Sequence, residues 1–304
     1  MNNTKMIDRS GCPICKSSAF SKKFADENVH LDQLDRFAFA SRKIPEYMHW
    51  QLWECQQCDL IYADPIPDRT TLVHEYEQAD FSSSVQAKLA SDTYASFLPS
   101  IQSLLPDLHG ALDIGTGDGI FLEHLIRLGF DQIEGIEPSL APIQAAKPEI
   151  QPLIRHGIFE KGAFSENQFS LVTCFQTIEH VDDPLGMCQE AYRILKSGGA
   201  IFLIGHNRRS LSARVLGKRS PIFDLEHLQL FSKQSISQLL IKSGFQVGWV
   251  KPIWNSYPVT YWIQLFPLPR WIKSKLMRII GFFGGNRLIL PLPAGNIAVV
   301  GYKK

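Results

Sequence analysis

The chain has almost no surplus charge. Its 304 residues carry 31 Lys and Arg against 30 Asp and Glu, a formal net charge of +1, with the two signs interspersed. A nucleic-acid substrate requires a basic face for its phosphates, so that class is set aside. Internal repeats and low-complexity tracts are also missing, which leaves a folded, non-repetitive chain. A secretory leader is not expected, because Met1–Arg9 is polar, so the six cysteines are not expected to form a disulfide framework. The dinucleotide fingerprint is lacking too. Ile120 follows Gly119, so the glycine pattern is G-x-G-x-G instead of the G-x-G-x-x-G that receives a pyrophosphate. What remains is a chain with 45% hydrophobic content, enough to bury a doubly wound core and a small accessory domain.

The glycines lie in Ala111-Leu112-Asp113-Ile114-Gly115-Thr116-Gly117-Asp118-Gly119, followed by the start of an amphipathic helix at Ile120-Phe121-Leu122. This reads as a strand, a tight turn and a helix N-terminus, where backbone N–H groups can approach a ligand closely. The acid ahead of the glycines would repel a pyrophosphate and suits a cationic ligand. A second strand, Gln132–Glu137, ends in an acid twenty residues beyond Gly117. An acid at that offset can accept hydrogen bonds from both hydroxyls of a ribose.

This segment resembles motif I of the class I S-adenosylmethionine-dependent methyltransferases. The resemblance implies a Rossmann-like α/β fold with a seven-stranded, mostly parallel sheet whose last strand is antiparallel. It also implies S-adenosyl-L-methionine as cofactor, held by Asp113, Gly115, Thr116, Gly117 and Glu137. Adenine contacts would come from Gly157, Ile158 and Phe159, after a third strand near Leu153–His156. Phe169–Phe175 and the following Gln176-Thr177-Ile178-Glu179-His180-Val181 resemble the family's fourth strand and its Glu-His loop, adding Phe175 and Gln176 to the cofactor side. A helix over Pro184–Lys196 is expected to stop at Ser197-Gly198-Gly199, ahead of a fifth strand at Ala200–Ile204. Phe245–Val250 and Asn296–Tyr302 are read as the sixth and final strands. The resemblance runs from Leu112 to Val250.

Cys12-Pro13-Ile14-Cys15 and Cys55-Gln56-Gln57-Cys58 form two C-x-x-C knuckles whose four thiolates suit a structural, tetrahedral zinc ion. Reduced or disulfide-linked cysteines are the alternative. Short strands are expected at Trp50–Glu54 and Leu60–Ala63. Glycine often follows such a knuckle, and here Lys16 and Asp59 do, Asp tolerating a left-handed backbone better than Lys. Zinc-bearing segments of this kind resemble those preceding bacterial sugar methyltransferase domains, sugar C-methyltransferases among them. They also occur beside ribosomal-RNA modifiers, which the charge balance disfavours. Cys174 and Cys188 have no partner spacing and are expected in the core.

The expected organisation is a zinc-ribbon-like module over 1–67, a helical cap over 68–108 and a methyltransferase domain over 109–304, with a lid or interfacial insertion at about 252–294. Asp64–Asp68 reads as a linker, and helices are expected at Thr70–Tyr76 and Ala87–Leu105. Tyr76, Phe81 and Tyr94 are candidates for a lid over the cofactor, or else core aromatics. On the acceptor side stand His180, His206 at a strand end, and His227 within Asp224-Leu225-Glu226-His227-Leu228. Histidine suits removal of a proton from an attacking nucleophile. His180 is the first candidate base and His227 the second, the alternative for each being a histidine that only hydrogen-bonds its loop. Pro269–Phe283 reads as a basic amphipathic helix, with Trp271, Ile272, Leu276, Ile279, Ile280 and Phe283 on one face. It is too short and too charged to span a membrane. It would either lie in a membrane interface or close as a lid.

The reading that results is methyl transfer to a small-molecule acceptor, glycosyl or lipid-linked, of a cell-surface polysaccharide or secondary metabolism. O-methylation of quinone-like lipids is the alternative within enzymes, and a non-catalytic cofactor-binding scaffold the alternative outside them. The expected location is the cytoplasm, and the interfacial reading of 270–283 adds peripheral contact to the inner face of the membrane.

Overall fold

The computed structural model describes residues 5–30, 47–78, 85–266, 268–282, 285 and 288–304. Phe81 and Phe283, two of the apolar residues singled out above, lie outside them.

Seven strands form the main sheet: β1 (Ala111–Ile114), β2 (Ile133–Glu137), β3 (Ile154–His156), β4 (Phe169–Phe175), β5 (Leu195–His206), β6 (Gln246–Pro258) and β7 (Ile289–Tyr302). Their spatial order is β6-β7-β5-β4-β1-β2-β3. The pairs from β5 through β3 are parallel, whereas β7 runs antiparallel to both β5 and β6. The chain order departs from β1 in both directions, so a crevice opens outside the carboxyl ends of β1 and β4. The central strands are apolar on both faces because helices cover both, and Leu171, Val172 and Cys174 of β4 are fully buried. Cys188, on the helix Pro184–Ile194, is fully buried as well, which agrees with the core assignment of both lone cysteines.

Three elements differ most from expectation. The single helix expected over Ala87–Leu105 is two, Val85–Ala95 and Leu98–Gln102, with a turn between them. The helix expected to reach Lys196 ends at Ile194, and β5 begins immediately at Leu195. Leu195 is fully buried and already pairs with Phe169, so the chain enters the sheet before the glycines. Gly198 and Gly199 instead occupy an irregular stretch, where the register with β4 shifts between Leu195 and Ala200. The segment 252–294 is also more regular than a free lid. β6 and β7 continue past the sheet as an antiparallel ribbon, with Asn255 opposite Leu292 and Pro258 opposite Ile289. The helices Val259–Leu265 and Arg270–Phe282 sit at its far end.

The N-terminal segment is not a separate bead. Its strands Ser21–Ala25, Leu52–Cys55 and Ile61–Ala63 are completed by Gln229–Leu230, which pairs with Ile61–Tyr62 from the far side of the chain. Met6–Ile7 pairs with Ile66–Pro67, so the expected linker is itself partly a strand. Arg208, with its side chain 5% exposed, adds ion pairs to Glu54 and Asp59. Trp50 donates its indole N–H to the Leu225 carbonyl at 3.0 Å. The loop 220–228 is therefore held between the cysteine-bearing sheet and the main sheet.

Candidate active site

A cavity of about 750 Å³ opens at the carboxyl ends of β1, β2 and β4. Its floor is the glycine turn. Gly117 has φ +60, and a Cβ built there would meet nothing within 4 Å because it would project into open space. Glu137 closes one side. Its Oε2 accepts the Gly117 N–H at 2.9 Å and its Oε1 the Ser139 N–H at 3.0 Å. These bonds aim the carboxylate while each oxygen keeps lone-pair capacity for a ligand hydroxyl. Burial pushes the Glu137 pKa up to about 7, against the lowering by the two N–H bonds.

The residues expected on the cofactor side fall together with one exception. Gly115, Thr116, Gly117, Glu137, Gly157, Ile158, Phe159, Phe175 and Gln176 all line the cavity. Asp113 does not. It is 3% exposed and lies one layer behind the wall, where its Oδ1 accepts the Thr173 hydroxyl at 2.6 Å. Burial raises its pKa to about 6. The reason is the pleat: alternate residues of β1 face opposite sides of the sheet, and the neighbour that reaches the cavity is Ile114. Asp113 therefore bears on the turn through the hydrogen bonds that fix β1 against β4. The Gln176 backbone has φ +52, and its Nε2 is buried with no hydrogen-bond partner, a donor left at the cavity wall.

The other end of the cavity is polar. His180 and His227 both line it, with ring centroids 5.1 Å apart, and His206 stands 4.6 Å from His227. His180 Nδ1 is 3.1 Å from both the Tyr76 hydroxyl and the Glu226 carbonyl. A carbonyl only accepts, so the Glu226 contact requires the proton on Nδ1 and makes Nε2 the basic nitrogen. His227 Nδ1 donates to the Ile222 carbonyl at 2.9 Å by the same logic, and His206 Nδ1 to Asn296 Oδ1 at 3.0 Å. Burial lowers the His206 pKa to about 4 and raises that of Glu179 to about 8. Tyr76 and Tyr94, read as lid or core aromatics, both line the cavity. Tyr94 also packs on Phe175, with centroids 5.1 Å apart.

Sequence reasoning missed three contributors to this polar end: Glu226, Asn296 and the hydroxyl role of Tyr76. Glu226 was visible as part of the acid-rich run before His227. Asn296 carries no local signal, because its place opposite His206 comes from the β5–β7 register.

The rim is apolar. Leu211 and Val215 are 70% and 74% exposed, and Phe266 and Leu292 also stand at the opening. On the helix beyond, Trp271 is 71% exposed, while Ile272, Leu276 and Ile280 are half-buried. Among the described residues no helix is long and apolar enough to cross a membrane.

The four knuckle cysteines converge. Cys12 and Cys58 Sγ are 3.6 Å apart, Cys15 and Cys55 Sγ 3.9 Å, and all four sulfurs lie within 4.8 Å of one another. A tetrahedron with zinc–sulfur bonds of about 2.3 Å has sulfurs about 3.8 Å apart, so the donor set and its spacing both fit. Lys16 and Asp59 do adopt the left-handed backbone, at φ +54 and +63. In each case the residue's N–H donates back to the first cysteine's carbonyl, at 2.7 Å and 2.9 Å.

Comparison with known proteins points one way. The profile of a methyltransferase domain family matches residues 85–248. The ubiquinone biosynthesis O-methyltransferase of Alkalilimnicola ehrlichii is 30% identical over 173 residues, 51% of this chain and 70% of that protein. The enzyme of the same name from Escherichia coli O9:H4 is 32% identical over 147 residues, 46% of this chain and 59% of that one. The YcgJ protein of Bacillus subtilis shares the fold, with a TM-score of 0.50 at 16% identity over 70% of this chain and 99% of that one. The family profile begins at residue 85, so the cysteine-bearing segment lies outside it.

Proposed function

Because the chain belongs to the class I S-adenosylmethionine-dependent methyltransferases, we propose that it transfers a methyl group to an apolar or lipid-linked glycosyl acceptor bound between Glu137 and the histidine cluster. The observation that carries this reading is the two-ended cavity. One end holds an aimed carboxylate beside open space over Gly117, the other holds imidazoles, and both open through an apolar rim.

S-adenosylmethionine, when bound, supplies an electrophilic methyl on its sulfonium. The chain's part is placement and proton handling. Glu137 accepts the two ribose hydroxyls. Gly117 leaves room for the ligand to lie on the backbone, Ile158 and Phe159 flank the adenine, and Phe175 and Gln176 form the wall beside it. Methyl transfer is an in-line displacement, so catalysis rests on holding the nucleophile in line with the methyl and removing its proton. His180 is the first candidate for that base, oriented by the Glu226 carbonyl and Tyr76, and His227 is the second. We further propose that Cys12, Cys15, Cys55 and Cys58 hold a structural zinc ion. Four protein ligands leave no open position for chemistry, so its effect is to brace the sheet that carries Gln229–Leu230 and, through it, the His227 loop.

The exposed Trp271 and the basic residues Lys273, Lys275 and Arg278 favour an interfacial role for the helix, bringing an apolar rim to a membrane surface that bears the acceptor. A second reading, O-methylation of a quinone-like lipid, draws on the names of the relatives and on the same rim. A labelled-methyl assay with glycolipid and with quinol acceptors separates the two. Label in neither, with the cofactor bound, would count against both.

A further inference from the structure

Glu179 is a fully buried acid at the polar end whose carboxylate the proposed methyl transfer does not use. Neither carboxylate oxygen has a hydrogen-bond partner. Burial holds this carboxyl at a pKa of about 8, so near neutral pH it keeps its proton unless a cation takes the proton's place. Its surroundings contain ligands. His206 Nε2 lies 3.7 Å from Glu179 Oε1, and one ligand atom each from Glu179, His206 and His227 lie within 4.8 Å of one another. They come from three separate segments: the loop after β4, the end of β5 and the loop 220–228.

Each histidine is held in the tautomer that a metal ligand needs. His206 Nδ1 donates to the Asn296 side-chain oxygen and His227 Nδ1 to the Ile222 carbonyl, so each ring carries its lone pair on Nε2, that of His206 3.7 Å from Glu179 Oε1 and that of His227 3.9 Å from Glu226 Oε1. A carbonyl-type acceptor behind a ligating imidazole is the usual means of fixing ring orientation and raising ligand basicity. A second combination, His180 with Glu226 and His227, is also close enough. There His180 Nδ1 is already engaged by the Glu226 carbonyl and near the Tyr76 hydroxyl, whereas Glu179 brings a buried carboxyl with no hydrogen-bond partner, so the Glu179 set is favoured.

We propose that Glu179, His206 and His227 bind a divalent first-row transition-metal ion. Two imidazoles and one carboxylate supply three ligands and leave at least one position open. Both histidines line the cavity, so that position faces the space where the acceptor would lie. With metal–ligand bonds near 2.1 Å, donor atoms sit about 3.0–3.4 Å apart, so the present spacing closes with small side-chain adjustments. The ion's function, taking an oxygen of the acceptor and easing loss of its proton, rests on the methyl-transfer reading; its binding does not. His227 then serves as a ligand, and His180 is left as the base.

The test uses the full chain with its cysteine site filled, freed of loosely bound metal and titrated with cobalt(II), followed by calorimetry and visible absorption. A second metal equivalent per chain is expected, without the sulfur-to-cobalt charge-transfer band that the cysteine site would give. Glu179→Gln and His206→Ala should each weaken that second equivalent by roughly tenfold or more, while the melting-temperature rise given by S-adenosylmethionine persists. Saturation at one equivalent in the wild type would overturn the proposal. So would second-site affinity unchanged in Glu179→Gln. If a variant fails to fold, the wild-type stoichiometry alone decides. Loss of the S-adenosylmethionine response with the second equivalent intact would count against the methyltransferase site and not against the metal.

Discussion

Replacing Glu137 with glutamine keeps the side chain's shape and removes its charge. Two backbone N–H groups now point at the carboxylate, one on each oxygen. An amide offers one of them a carbonyl and turns an NH₂ toward the other, so the aim of the side chain is disturbed and the ribose loses an ionised acceptor. Hydrogen bonds to a charged group contribute about 1.5–3 kcal/mol, and the loss in binding should fall in the range of about 1–3 kcal/mol, or roughly 5- to 150-fold in Kd. The pH dependence sharpens the test. Burial lifts the Glu137 pKa from 4.5 to about 7, so between those values the folded chain holds a proton that the unfolded chain has released. Stability of the ligand-free protein therefore falls as pH rises through that window. Ribose hydroxyls donate to the ionised form, so binding lowers the pKa and affinity rises with pH. The ionised fraction grows from about a tenth at pH 6 to about nine tenths at pH 8, which gives a roughly tenfold tighter Kd. Calorimetric titration of both proteins with S-adenosylmethionine at pH 6, 7 and 8 reads this directly. Glu137→Gln should bind weakly and lose the slope above pH 7, with any slope left below it belonging to Asp113, whose pKa lies at about 6. Equal Kd values for the two proteins at every pH would refute the assignment.

Gly117→Ala should cut cofactor affinity strongly, whereas Gly162→Ala, also at positive φ with open space around its Cβ but away from the cavity, should cost only about 1–2 kcal/mol of stability in a denaturant melt. Purified protein should contain about one zinc per chain at the cysteine site; Cys55→Ser should release it and, by loosening the loop that carries His227, lower turnover more than cofactor binding, as metal analysis and steady-state rates would show. Replacing Lys273, Lys275 and Arg278 with glutamate should reduce co-sedimentation with anionic liposomes at low salt and leave the Kd for S-adenosylmethionine unchanged. Wild-type protein that does not co-sediment would return the helix to the role of a lid.

Short-range chemistry was readable from the sequence. The Asp113–Gly119 run declared a strand, a turn and an open floor, and the offset to Glu137 declared its partner, because both ends of that device lie on consecutive β-α-β units. The cysteine pairs were readable for the same reason, each knuckle being a local turn. Asp113 was misplaced because spacing says nothing about which face of a strand meets the ligand. The helix stop at Gly198–Gly199 failed because burial of Leu195 drew the chain into the sheet earlier than the glycines required. Least legible was whatever long-range pairing assembles. Asn296 behind His206, Gln229–Leu230 completing the N-terminal sheet, and the meeting of Glu179, His206 and His227 all depend on strands far apart in sequence.

Transfer of a methyl group from S-adenosylmethionine to an acceptor in this cavity is the activity everything above leads to. Incubation with carbon-labelled S-adenosylmethionine and a panel of glycolipid, nucleotide-sugar and quinol acceptors, followed by separation of acceptor from cofactor, tests it most directly. Label is expected in a glycolipid or glycosyl acceptor, matched by S-adenosylhomocysteine, and strongly reduced in His180→Ala with cofactor binding retained. Cofactor that binds with no label transferred to any acceptor in the panel would contradict it, as would label transfer that His180→Ala leaves unchanged.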